Sequence, residues 1–403
     1  MMKKDWEIKK LGDVCEFRRG LTYSKNDEVE NSSNAVLRSN NIDLITNRLD
    51  LSEIKYISDK IKIDETKKVK RDSLLICTAN GSKAHLGKVA LIDDDYDFAF
   101  GGFMGLLIPS ESVYPRFFYY ALISENYKKF IKSLSDGANI NNLKFQDLSK
   151  FEIPIPPLEE QKRIVKILDE KFAQLESLKA NAQTNLQNAK DLFQAKLTSI
   201  YNSNYSLVKV CEIATIKGGK RIPKGRKLVT ENTGHPYIRV TDFTDNGSVS
   251  LDDIRYITED IYQIIKRYTI TVDDVFISIA GTIGKVGIVP TELNNANLTE
   301  NACKLILKEN VFNKYIVYIF LSDEVKKITQ ESARANAMPK LSILRLSEIE
   351  IPLPPLPEQK RIVKEFDTLS EKVRQLQEIY TKQIANCDEL KQSYLQKAFE
   401  GEL

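Results

Sequence analysis

Hydrophobic and polar positions change their period along this chain in the same order twice. Short apolar runs punctuated by glycine come first, SLLICTANG at Ser73–Gly81 and DVFISIAGTIGKVGIV at Asp274–Val289. Such runs predict buried strands closed by tight turns. Amphipathic stretches follow, FFYYALISENYKKFIKSL at Phe117–Leu134 and KYIVYIFLSDEVKKI at Lys314–Ile328, and predict helices. The alternation in FEIPIPP (Phe151–Pro157) and IEIPLPP (Ile349–Pro355) then predicts a last strand running into a proline joint. A P-x-x-P spacing can also serve as a polyproline ligand, but a stiff strand-to-helix joint accounts for the same residues.

Beyond each joint the period becomes helical. Ile362, Phe366, Leu369, Val373, Leu376, Tyr380, Cys387, Leu390 and Tyr394 keep a 4-3 spacing broken only at Gln383, which predicts a coiled-coil seam. An earlier stripe of Val165, Leu168, Phe172, Leu175, Ala182, Leu186, Ala189 and Phe193 is similar, and its two alanines permit close helix approach. About 42 residues at roughly 1.5 Å each make a rod of about 63 Å. Pro157 and Pro357 suit a first helical turn. Glu159, Glu160 and Glu358 face the positive end of the dipole, and Gly401 suits a C-terminal stop.

The two passes are copies. IPIPPLEEQKRIVKILD (Ile153–Asp169) and IPLPPLPEQKRIVKEFD (Ile351–Asp367) agree at 13 of 17 positions, and the offset of 198 also pairs Leu192 with Leu390 and Gln194 with Gln392. An offset near 200 matches Leu11–Gly20 to Val210–Gly219, IKYIS to IRYIT, and the GKV at Gly87–Val89 to that at Gly284–Val286. So long a period excludes a solenoid and indicates a duplicated domain with a connector. The expected domains are 1–152 and 204–350, each followed by a proline joint and long helix, 153–203 and 351–403.

Composition narrows the class. At 403 residues, two or three domains are expected. The values of 42% hydrophobic and 29% charged residues are those of a soluble globular protein. The opening MMKKDWEIKKLGD lacks an apolar leader, so a cytoplasmic location and no membrane partner are expected. Five scattered cysteines and two histidines offer no clustered ligands for zinc or a disulfide framework; no metal site is expected.

Catalytic motifs are incomplete or missing. GTIGKVG resembles a phosphate loop, but Ile279 stands at the first glycine position and Val286 at the hydroxyl position. A turn between strands is the better reading. No H-E-x-x-H, G-x-S-x-G or Asn-Pro-Pro-aromatic tetrapeptide occurs. The chain is expected to bind and position, not catalyse, with no cofactor of its own.

A net charge of +3 leaves the partner undecided, so local patches matter. In KGGKRIPKGRK, Lys217, Lys220, Arg221, Lys224, Arg226 and Lys227 form a glycine-loosened basic run without an acid, suited to phosphates or else simply solvated. Arg18, Arg19 and Lys25 occupy the matching place in the first half. Candidates for base edges are Arg38, Asn40 and Asn41; Asn80, Ser82, Lys83 and His85; and Asn139, Asn141 and Asn142. In the second half they are Arg239 and Thr241, Thr282 and Lys285, and Arg334, Asn336 and Lys340. Asparagine-rich loops are also ordinary turn formers.

The IPxPPLxEQKRIV joints, the helices after them, the C-terminal LQKAFEGEL and the turn DVFISIAGTIGKVG together resemble the specificity subunit of Type I restriction–modification systems. The openings WEIKKLGDVCEFRRG and YSLVKVCEIATIKGG add to the likeness, which spans the chain. The resemblance implies an α+β protein: two similar α/β target-recognition domains separated by two long antiparallel coiled-coil helices in a pseudo-twofold repeat. It implies double-stranded DNA as ligand, one half of a split asymmetric site per domain, and two methyltransferase subunits as partners, with restriction subunits where present. S-adenosylmethionine, ATP and Mg would belong to those partners. Gln161, Lys162, Arg163, Gln359, Lys360 and Arg361, read as outward-facing, are the candidate docking face; ordinary solvated helix surface is the other reading. A DNA-independent coiled-coil scaffold, and a methylation-only or phage-defence variant, stand as alternatives.

Overall fold

The structure, a computed structural model, describes residues 5–136, 142–333 and 340–403. Two compact units divide the chain, Met1–Ala182 with Lys382–Leu403, and Gln183–Thr381.

The first unit carries two four-stranded sheets. One has the order Cys15–Arg19, Met104–Pro109, Leu74–Cys77, Val89–Leu91, all antiparallel. The other has the order Glu28–Val29, Lys55–Ile57, Asn34–Leu37, Phe98–Phe100, the last two parallel. The run LLIC is buried at every position because both faces of its strand are covered. Leu75 and Cys77 point into a cluster with Leu37, Phe100 and Leu106 between the sheets. Leu74 and Ile76 point the other way, into the larger core with Phe117, Phe118, Leu168 and Phe172, as the period of two requires. Each such side chain contributes roughly 1.5–3 kcal/mol on burial. A further antiparallel pair, Glu7–Lys10 with Glu152–Ile155, ties the start of the domain to the strand before the proline joint.

The second unit repeats this plan. Its sheets are Ala214–Gly218, Ala302–Leu307, Val275–Ser278, Val286–Gly287, and Arg255–Tyr256, Pro236–Ile238, Ala296–Leu298, Thr269–Ile270. Its closing pair is Leu207–Lys209 with Glu350–Pro352. The turn between Val275–Ser278 and Val286–Gly287 needs its glycines: Gly281 and Gly284 adopt φ of 77° and 89°.

Each predicted amphipathic helix is two helices, Pro115–Leu122 then Glu125–Asp136, and Asn313–Phe320 then Asp323–Ala333. The break falls on buried Ser124 and its counterpart Ser322. Their hydroxyls donate to the carbonyls of Ala121 and Ile319, both at 2.7 Å, and cap the next helix. Periodicity ran through the break because both pieces bury the same apolar face.

The long helices are Leu158–Tyr201 and Leu356–Glu400. In the first unit Arg163 reaches the Leu403 carbonyl at 2.6 Å, Lys391 lies 5.1 Å from the Phe172 ring centre, and Lys179 bonds Asp388 at 2.7 Å. Numbers rise along one helix as they fall along the other, so the segments run antiparallel. In the second unit Phe193 packs edge-on to Phe366 and Lys196 lies 3.9 Å from Glu365. Leu376 and Leu390, placed on the seam by the sequence, are 38% and 47% exposed. A seven-residue repeat drifts off the face of a helix with 3.6 residues per turn, and Leu395, Ala398 and Phe399 take the buried positions. Gly401 ends the second helix at φ 79°, with Glu402 N–H donating to the Lys397 carbonyl at 2.9 Å.

Candidate nucleic-acid interface

In the first unit, sheet ends bring three candidate loops together. Asn80 Nδ2 donates to Ser39 Oγ at 3.0 Å, joining the turn after Leu74–Cys77 to the turn that holds Arg38, Asn40 and Asn41. Asn142 forms an isolated bridge with Ala79; Asn139 and Asn141 lie outside the described residues. Ser82, Lys83 and Asn142 are exposed. His85 is partly buried, and desolvation together with Lys88 lowers its pKa. Arg19 lies over the Phe145 ring at 5.6 Å, Arg18 Nε bonds Glu16 at 2.7 Å, and Lys25 is exposed on a separate turn.

Phe103, missed by the sequence reading, is 74% exposed at the same place. Its carbonyl accepts the Thr78 and Ala79 N–H groups at 2.9 and 3.1 Å. The available signal was an aromatic after two glycines. Beside it a Cβ on Gly20 would sit 2.0 Å from the Gly101 carbonyl oxygen, so the chain can cross here only as glycine.

Asn41 corrects the sequence reading. It is 1% exposed; its Oδ1 accepts the Arg38 N–H at 2.8 Å and its Nδ2 donates to the carbonyls of Asp50 and Glu53. No edge is left for a base. Asp242 does the same for Arg239 N–H at 2.7 Å in the second unit. Arg239 is itself committed to Asp242 and Asp253, at 2.6 and 3.1 Å. Lys285, half-buried, is likewise engaged, donating to the Phe243 carbonyl at 2.8 Å and pairing with Asp245 at 3.1 Å. Its counterpart Lys88 donates to the Ile42 carbonyl at 2.6 Å. The repeated GKV is therefore a tie between turns, and Arg239 and Lys285 are frame residues, not free base readers.

Asn40, Thr241, Thr282 and Lys340 remain exposed. Lys340 bridges Ala280 as Asn142 bridges Ala79, so the corresponding loops meet in both units. Arg334 and Asn336 lie outside the described residues. In the basic run, Arg221 bonds Glu300 and Arg226 pairs with Asp260 at 2.8 Å. Lys220 lies over Tyr268 at 5.7 Å, and Lys217, Lys224 and Lys227 are exposed.

The repeated joint holds a second correction. Gln161 and Gln359 are 0% and 1% exposed, not outward. Gln161 Oε1 accepts the Tyr114 N–H at 2.7 Å, while Nε2 donates to the carbonyls of Ser112 and Pro156 at 3.0 and 2.8 Å. Gln359 makes the same bonds to Phe312, Asn310 and Pro354 at 2.8, 3.1 and 2.8 Å. One turn pair further on, Asp169 accepts from Arg116 at 2.8 Å and from the Tyr120 hydroxyl, as Asp367 does from Lys314 and Tyr318 at 3.0 and 2.7 Å. Lys162, Arg163, Lys360 and Arg361 are exposed. Hydrogen bonds from Arg361 and Tyr205 draw the Glu358 carboxyl down to about 2.

Comparison with known proteins accords with this doubled frame. The family described as Type I restriction modification DNA specificity domain matches residues 3–186 and again 202–384. The chain belongs to that family. It is 27% identical over 421 residues to the Type I restriction enzyme EcoKI specificity subunit of Escherichia coli K12, covering 100% of this chain and 90% of that one. A chain solved in work on complex assembly and conformational transition of the type I R-M system superposes with a TM-score of 0.82 at 20% identity, covering both chains fully. The HsdS subunit from Thermoanaerobacter tengcongensis gives 0.61 at 19% identity, over 100% of this chain and 98% of that one. As the sequence led one to expect, the fold is that of a Type I specificity subunit, two α/β domains and two long helices. The chain is a DNA-recognition subunit of that class. No helix among the described residues is long and apolar enough to cross a membrane.

Proposed function

We propose that the chain selects a bipartite, asymmetric duplex, each recognition domain reading one half-site, for chemistry performed by other subunits. Two methyltransferase subunits would dock on it and methylate an adenine flipped from each half-site, with restriction subunits joining where the system has them. S-adenosylmethionine, ATP and Mg would be bound by those subunits, and this chain would be non-catalytic, acting in the cytoplasm.

One observation carries this reading. The frame is the same in both units down to single hydrogen bonds, at Gln161 and Gln359 and at Lys88 and Lys285, while the loops it presents differ. Asn40 stands where the second unit has Thr241, and exposed Phe103 offers an apolar face suited to a thymine methyl. A scaffold joining two proteins would not require such divergence beside basic residues. Arg18, Arg19, Lys25, Asn80, Ser82, Lys83 and Thr282 remain the proposed contacts beside these.

The test is to assemble the chain with its methyltransferase partners and map methylated adenines across a genome. A split motif with two unrelated halves and a fixed gap is expected. Methylation that ignores the chain's presence, or a contiguous motif, would overturn the reading. A gel shift on pooled random duplexes separates it from the scaffold alternative.

A further inference from the structure

A cavity of about 360 Å³ opens in the second unit where the basic run leaves its strand, lined by Lys217, Gly218, Gly219, Arg267, Tyr268 and Lys304 among others. Among the described residues, no carboxylate lines it. On the ladder between Ala214–Gly218 and Ala302–Leu307, Lys217 stands directly opposite Lys304. Like charges in that relation repel. Lys304 is neutralised by Asp274 at 2.8 Å, both side chains being largely buried. Lys217 and Arg267 have no carboxylate partner among the described residues, and both are exposed at the cavity. Gly218 and Gly219 leave the intervening backbone without side chains.

The first unit has a different arrangement at the equivalent register. Arg18 faces Leu106 across the ladder and is held by Glu16, while Lys67 Nζ donates to the Arg19 carbonyl at 2.9 Å. Arg18 thus has a carboxylate partner where Lys217, at the matching register, has none among the described residues.

We infer that this cavity seats a phosphate group of the duplex backbone, with Lys217 and Arg267 as its charge partners, and that it grips DNA without reading sequence. The inference rests on the DNA-recognition reading above. A duplex fits better than a free phosphate because the charge continues beyond the cavity. Lys220 lies on the Tyr268 ring, and Lys224 and Lys227 follow it without a carboxylate partner among the described residues. A run of cations matches a run of phosphates.

The test compares wild type with Lys217→Ala, Arg267→Ala and the double variant, each full length and assembled with its methyltransferase subunits. Binding is followed from about 50 to 200 mM salt on two duplexes, the mapped target and a scrambled one of equal length. The expected result is a log–log salt slope shallower by about 0.9 for each phosphate no longer neutralised, equal weakening on both duplexes, and an unchanged methylated sequence. An unchanged slope, or an altered methylated sequence, overturns it. Lys217→Met, which keeps a long unbranched side chain without the charge, gives the same readout should the alanine variants fold poorly. In a parallel arm inorganic phosphate is titrated into the full chain; binding that the variants abolish while duplex slopes stay put would assign a free phosphate and overturn the backbone assignment. Failure of the wild-type complex to bind either duplex would instead sink the DNA reading and this inference with it.

Discussion

Gln161 accepts the backbone N–H of Tyr114 through its carboxamide oxygen at 2.7 Å, with none of the glutamine exposed. Tyr114 precedes the helix Pro115–Leu122, and Gln161 lies in the first turn of Leu158–Tyr201. One side chain thus fixes the entry of the long helix against the domain it serves. Gln359 and Phe312 repeat the relation.

Replacing Gln161 or Gln359 by leucine strands an N–H and two carbonyls in each joint. Each buried group left unsatisfied costs about 1–3 kcal/mol. The urea midpoint should fall for either variant, and a midpoint equal to that of wild type would show the latch to be dispensable.

Lys162, Arg163, Lys360 and Arg361 are exposed basic residues of the repeated joint. Alanine at all four positions should weaken co-purification with methyltransferase subunits while leaving the melting temperature nearly unchanged, since exposed ion pairs contribute about 0–1 kcal/mol. Undiminished assembly at physiological salt would remove them from the docking face.

Four residues inserted within Asn181–Gln187 add about 6 Å to the helix, the rise of roughly two base pairs. Mapped methylation should show a longer gap between unchanged half-sites. A changed half-site with the old gap would contradict a spacer role for the helices.

Asn40→Ala and Thr282→Ala touch different units, and each should relax specificity in one half-site alone. Loss of a side-chain contact to a base edge should be visible as a degenerate base in the methylated motif. A change in both halves from either substitution would contradict one reader per half.

Thiol chemistry offers a check on burial. The thiolate is the nucleophile, so a raised pKa lowers reactivity at pH 8. Burial pushes Cys77 up to about 11 and Cys303 up to about 12, whereas Cys211 is exposed. Maleimide labelling followed by peptide mapping should find Cys211 first; early labelling of Cys303 would place its strand outside the core.

The chain's own pattern determined the duplication, the strand before each proline joint, the long helices and the Gly401 stop, because these are local properties of period, turn chemistry and backbone freedom. Tertiary structure alone decided the rest. In EQKRIV the glutamine looks as solvent-seeking as its neighbours, and only an unpaired N–H at Tyr114 and carbonyls at Ser112 and Pro156 make burial its better state. Asn41 and Lys285 read as polar loop residues, yet Asn41 is buried holding its own loop to the carbonyls of Asp50 and Glu53, and Lys285 ties its turn to Phe243, 42 residues away. Lys217 stands opposite Lys304 through strand register, and both line one cavity with Arg267; no periodicity encodes this, since the energy that sets it comes from contacts between distant segments.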